Sequence, residues 1–254
     1  MLHFFDCEMA IGASAFGHPV PQEPGELLAV MDRYAITDAL VYDRGNYEMG
    51  IFDRHEFLLE FCAASPRLHP TLSIVPPATG EQAAPEELVA FCLDTGINAV
   101  RAWPAAHSFP FDRYAMGRLL AELEKHRLPV IVSAMNTQDH PWLHTPPWRD
   151  IREAALAFPD LPIIVNYTGM LQGRSLFPLL ENCPNVLADL TCTSFQFVEE
   201  VAARFGSGRL IFASHFPLED PGYYTCWVNY CGLDEEAKRD IAGENMRRLL
   251  EGVR

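Results

Sequence analysis

The chain has 254 residues, of which 49% are apolar, and carries 34 acidic against 19 basic side chains for a net charge of −15. That length and composition support one sizeable buried core, and the acidity argues against nucleic acid or an anionic membrane as partner, since both are polyanions. No apolar run approaches the roughly 20 residues that span a bilayer. The N-terminus has neither the basic region nor the apolar stretch of a secretory signal. Seven cysteines without a CxxC pair predict reduced thiols packed as small hydrophobes in a cytoplasmic protein.

Short apolar runs predict strands at residues 3–7, 39–42, 68–74, 99–102, 130–132, 163–165, 186–190 and 210–213. Amphipathic patterns between them predict helices at 24–34, 53–64, 85–94, 114–126, 148–158, 171–182, 195–205 and 234–252. The helix at 85–94 has Pro85, Glu86 and Glu87 at its start and Gly96 just past its end, as helix termini favour. The strands are apolar on both faces, which suits a parallel sheet covered by helices. Eight strand–helix units in this length predict a single α/β domain over residues 1–254, a (β/α)8 TIM barrel. An open doubly wound sheet would want a glycine-rich phosphate loop after an early strand, and none occurs. Two Pro- and aromatic-rich stretches, 136–147 and 218–232, follow strand ends and are expected to overhang the barrel mouth as loops.

Chemistry in such a barrel sits at the C-terminal ends of the strands. Those ends carry Glu8, Asp43, Arg44, Ser73, Arg101, Trp103, Ser133, Asn166, Tyr167, Asp189, Thr191 and His215. The first and last strands of a closed barrel are neighbours, so Glu8 and His215 are expected to face each other as a proton-transfer pair. The carboxylate would raise the histidine pKa. Arg101 offers a planar fork for a substrate carboxylate, or pairs internally with Asp43 or Glu8. Trp103 and Tyr167 offer an apolar wall, and Ser133, Asn166 and Asp189 further substrate contacts. Ser133 lacks the GxSxG elbow of a serine nucleophile. His140 and His144 read as surface-loop residues, because Pro141, Pro146 and Pro147 spoil a helix. Cys7 alternates with Glu8 and is expected to pack outward.

Four stretches share a further pattern. Phe5-Asp6-Cys-Glu8-Met-Ala10-Ile-Gly12 opens the chain. Phe158-Pro-Asp-Leu-Pro-Ile-Ile-Val-Asn-Tyr-Thr-Gly169 spans the sixth strand, Arg209-Leu-Ile-Phe-Ala-Ser-His-Phe-Pro217 the eighth, and Ile241-Ala-Gly-Glu-Asn-Met-Arg-Arg-Leu249 lies in the closing helix. Together they resemble the amidohydrolase superfamily, in its amidohydrolase-related (amidohydrolase 2-like) branch of metal-dependent hydrolases, lactonases and decarboxylases. The resemblance implies a TIM barrel whose first strand carries two metal-binding histidines; these fall on Glu8 and Ala10. The fifth-strand ligand falls on Ser133, the sixth-strand histidine on Tyr167 or Asn166, and the eighth-strand aspartate on His215.

Catalytic zinc wants about three protein ligands and an open position. The expectation is therefore no cofactor, with zinc held by Glu8 and His215 and completed by Asp6 or Asp189 as the alternative. The function expected is a hydrolase, lactonase or lyase acting on a small, carboxylate-bearing molecule through Glu8 and His215. The alternative is a non-catalytic barrel binding a small ligand or a partner protein. The partner expected is a small molecule, with room left for a homo-oligomer.

Overall fold

A computed structural model describes residues 2–50, 54–133, 147–166, 173–191 and 193–254. Nine strand segments run in order: β1 (Phe4–Ile11), β2 (Ile36–Asp43), β3 (Leu68–Pro70), β4 (Leu72–Ser73), β5 (Val100–Ala102), β6 (Val130–Ser133), β7 (Ile163–Asn166), β8 (Val186–Asp189) and β9 (Leu210–Ile211). Neighbours pair in parallel, β1-β2-β3 and then β4 through β9. The segments β3 and β4 are one barrel strand interrupted at Thr71, whose N–H and hydroxyl both donate to the Val41 carbonyl, at 2.8 and 2.9 Å. The ladder returns to its start. Cys7 N–H donates to Phe212 O at 3.1 Å, Ala10 N–H donates to Phe216 O at 3.0 Å, and Met9 pairs in parallel with Phe216. The result is a TIM barrel of eight parallel strands.

The helices that cover it are α1 (Pro24–Arg33), α2 (Arg44–Met49), α3 (His55–Ala63), α4 (Pro85–Asp94), α5 (Arg113–His126), α6 (Trp148–Ala157), α7 (Gly173–Asn182), α8 (Phe195–Phe205), α9 (Pro221–Tyr230), α10 (Glu235–Arg239) and α11 (Asn245–Glu251). A π-helical stretch, Asp240–Glu244, joins α10 to α11, so the predicted closing helix is continuous. Caps follow side-chain chemistry: Asp112 accepts Ala115 N–H at 2.8 Å and Ser194 accepts Phe197 N–H at 3.3 Å. None of the helices described is long and apolar enough to cross a membrane.

Two expectations are corrected. The stretch 218–232 is not a loop but carries α9, which starts where the Asp220 carboxylate accepts Gly222 N–H at 2.7 Å and Pro221 supplies a preset φ. The short helix α2 also lies where no element was expected; Asp43 caps it through Gly45 N–H at 2.9 Å and Gly50, at φ 63°, ends it. Residues 134–146, which include His140, His144 and nearly all of the other expected loop, lie outside the described residues.

Side chains on each strand alternate between the helices and the lumen. Val130 and Val132, Ile163 and Val165, Leu210 and Phe212 pack in the outer core, whereas Ile131, Ile164 and Ile211 join Phe5, Cys7, Leu40, Ala99, Leu187 and Ala213 in an inner cluster that Met246 plugs from below. Cys7 therefore faces the lumen, not outward. The register of β1 against β2 shifts between Asp6 and Met9, and this irregularity breaks the alternation that the expectation relied on. Each buried aliphatic side chain of this layer contributes roughly 1.5–3 kcal/mol. In the layer above, charged groups replace them, and burying a charge costs several kcal/mol unless it is paired.

Candidate functional site

At the mouth end of the lumen Glu8, Arg101, Ser133, Asn166, Asp189 and His215 are all buried. Thus β1, β5, β6, β7, β8 and the segment after β9 each carry one buried polar side chain.

Arg101 is the most heavily committed of them. Its Nη1 donates to Glu8 Oε2, its Nη2 to the Cys7 carbonyl and its Nε to Thr71 Oγ1 at 2.9 Å. Both side chains of the Arg101–Glu8 ion pair are 1% exposed. The Tyr42 ring lies 4.6 Å from the guanidinium carbon, a cation–π contact. Of the two roles expected for Arg101, the geometry favours internal pairing: all three nitrogens of the fork point to groups of the chain itself.

Asp189 is held by three donors. Asn166 Nδ2 and Thr191 Oγ1 reach Oδ2 at 2.8 and 3.0 Å, and Thr191 N–H reaches Oδ1 at 3.0 Å. Burial nevertheless pushes its carboxyl well above the usual range, and the Glu8 charge adds to the push. Burial and the same Glu8 charge raise the Tyr42 phenol.

His215 sits just past β9 with a left-handed backbone, φ 58°, a conformation that costs a non-glycine residue roughly 1–2 kcal/mol. Its carbonyl accepts Leu218 N–H at 3.0 Å, which fixes the turn. Burial pushes the imidazole down to about 3, and the Arg44 charge pushes the same way. This corrects the expectation that Glu8 raises it. The side-chain bond of Glu8 runs to Arg101 and its backbone N–H to Asp6; none of the bonds described joins Glu8 to His215.

Around this layer lie further residues, of which the strand-end reading passed over Thr71, Glu48 and Tyr47. Thr71 is a ligand of Arg101 that only the strand break reveals. Arg44, buried at the start of α2, pairs with Glu48, and Asp43 pairs with Arg54 at 3.1 Å. Trp103 stacks at a tilt on Tyr42 and Tyr47, with ring centroids 5.5 and 5.2 Å apart, and Ala10 and Val20 complete that apolar wall. Tyr167 lies outside the described residues. A cavity of about 410 Å³ opens beside the wall, lined by Tyr47 and Glu48, by Val75 and Pro76, and by His107 and Phe109. It flanks the buried polar layer and does not include it.

Several solved structures share this fold. A 2,6-dihydroxybenzoate decarboxylase from Rhizobium superposes with a TM-score of 0.75 at 19% identity, covering 99% of each chain. A dihydroxybenzoic acid decarboxylase from Polaromonas with bound manganese gives 0.74 at 14% identity, covering 99% of this chain and 97% of that one. A probable 2-pyrone-4,6-dicarboxylic acid hydrolase from Acinetobacter baumannii gives 0.71 at 10%, covering 98% and 100%. No curated protein matches the chain in sequence.

Among the described residues at the implied metal positions, Glu8, Ala10 and Asn166 do not fit a divalent ion. The guanidinium of Arg101 already closes the Glu8 carboxylate, the Ala10 side chain packs into the apolar wall, and the Asn166 amide is spent on Asp189. A second cation beside Arg101 would meet like-charge repulsion in a poorly screened interior. Among the described residues no group of three or more His, Cys, Asp or Glu is arranged to hold a metal. The amidohydrolase family model nonetheless matches residues 10–252, beginning just after Glu8. By that match, over nearly its whole length, the chain belongs to the amidohydrolase family.

Proposed function

We propose that the chain is an enzyme acting at the barrel mouth on a small molecule bearing a carboxylate, by hydrolysis, lactone opening or decarboxylation, without a resident metal. The observation that carries this reading is the buried polar layer itself. Glu8 pairs with Arg101, Asn166 donates to Asp189 and the Glu8 charge acts on Asp189, all four side chains being buried, an arrangement whose desolvation cost is characteristic of working sites. The names of the structural neighbours, two decarboxylases and a dicarboxylic acid hydrolase, support a carboxylate substrate.

In this reading His215 and Glu8 are the catalytic residues. With its pKa pushed down to about 3, His215 is a neutral imidazole at pH 7, able to accept one hydrogen bond and donate another. Glu8 receives or returns the proton while Arg101 holds its carboxylate in place. Ser133, Asn166, Asp189, Trp103 and Tyr167 contact the substrate. Arg101 acts on the substrate only through Glu8.

A second reading is supported by one observation. The Arg101 fork is spent on Glu8, Cys7 and Thr71, as in a barrel that binds a ligand without turning it over. A panel of hydroxybenzoates and lactone carboxylates separates the two, assayed for CO2 release and ring opening. The enzyme reading expects turnover of at least one class, reduced about 10²-fold or more in His215→Ala. Binding without turnover across the panel, or full activity in His215→Ala, would overturn it.

A further inference from the structure

We infer that Arg101 is the built-in cation of this barrel: its guanidinium occupies the lumen beside Glu8 and Asp189 and excludes a divalent metal from that position. The inference concerns the charge balance of the lumen and holds whether or not the chain turns a substrate over.

The shell around Arg101 is that of a bound cation. It consists of a carboxylate oxygen of Glu8, the Cys7 carbonyl oxygen, the Thr71 hydroxyl oxygen and the face of the Tyr42 ring. These come from β1, from the break between β3 and β4, and from β2, so three strands converge on a side chain sent across from β5. The Glu8 charge acts on Asp189, and the Arg101 charge offsets it there while pairing with Glu8 itself. Arg44 and Arg54 are paired with other carboxylates, Glu48 and Asp43. Removing the Arg101 charge would therefore leave the buried Glu8 carboxylate facing the space the guanidinium fills, lined also by the Cys7 carbonyl and Thr71 hydroxyl oxygens. Such a cleft suits Mn²⁺.

The test titrates MnCl2 alone into the wild-type protein and into Arg101→Met, following the melting temperature and the manganese retained after gel filtration. The wild type should retain none and keep its melting temperature. Arg101→Met should melt lower without metal, retain manganese, and recover roughly 3 °C or more on its addition, because an ion that binds only the folded state stabilises it. Arg101→Lys, which keeps a charge, should retain none. One equivalent of manganese in the wild type, lost in Glu8→Gln, would overturn the inference, as would a folded Arg101→Met that takes up no metal. If Arg101→Met does not fold in either condition, the double variant Glu8→Leu/Arg101→Met decides. Recovery of folding marks Arg101 as the counter-cation of Glu8, and failure to recover overturns it.

Discussion

One oxygen of the Asp6 carboxyl, Oδ1, accepts the backbone N–H of Ser214 at 3.0 Å across the seam between the first and last strands, and that of Glu8 at 2.9 Å along its own strand. Burial pushes this carboxyl up from 3.8 to about 6. Between roughly pH 4 and 6 the unfolded chain has released a proton that the folded chain keeps. Stability from this group therefore falls as pH rises through that window, by about 3 kcal/mol. Asp6→Asn keeps an oxygen acceptor and loses the titration. Urea unfolding at pH 4 and pH 7 should show the variant gaining about 3 kcal/mol on the wild type between the two. A difference that does not change with pH would contradict this.

His215 acts with the opposite sign. Its folded pKa of about 3 lies below the ordinary 6.5. As pH falls from 6.5 toward 3 the unfolded chain takes up a proton that the folded chain refuses, so stability present above pH 6.5 is lost on acidification. Between pH 4 and 6 the Asp6 and His215 effects offset each other. Asp6→Asn should therefore steepen the acid side of the stability profile, and adding His215→Asn should flatten it again. A profile left unchanged by His215→Asn would show that the imidazole titrates normally.

The strands were legible because the outer core and the lumen floor are both apolar, so runs such as Leu210 to Ala213 declare themselves. The strand β1 reads as ending near Cys7 because the charged Glu8 interrupts the apolar run. Glu8 and the buried Asp6 belong to the strand because Arg101 and Ser214, more than 90 positions away, satisfy them. The inward turn of Cys7 depends on a register shift that composition does not encode. The helix α9 was hidden by its aromatic content, Tyr223, Tyr224 and Trp227 clustering on one another, although Asp220 and Pro221 mark its start. At the site, the strand ends named polar side chains that the fold buries. Their partners were not legible, because the choice between Glu8–His215 and Glu8–Arg101 depends on distance across the lumen.

The closing helix is tied to the barrel by Asn245. Its Nδ2 donates to the carbonyls of Ser207 and Leu210, both at 2.8 Å. Asn245→Ala leaves the Leu210 carbonyl buried without that donor and should cost roughly 1–3 kcal/mol, read as a lower urea midpoint at an unchanged slope. A midpoint within error of the wild type would mean that the helix is held by its apolar face alone.

The buried pair of Glu8 and Arg101 organises the lumen, and a double-mutant cycle on Glu8→Gln and Arg101→Met measures it most directly. Either single variant leaves a charge buried without its partner and should lose about 3–5 kcal/mol of unfolding free energy. The double variant should lose less than the sum of the two, with a coupling of at least about 2 kcal/mol. Losses that add to within about 0.5 kcal/mol would show that the two side chains do not hold each other, and would contradict the account.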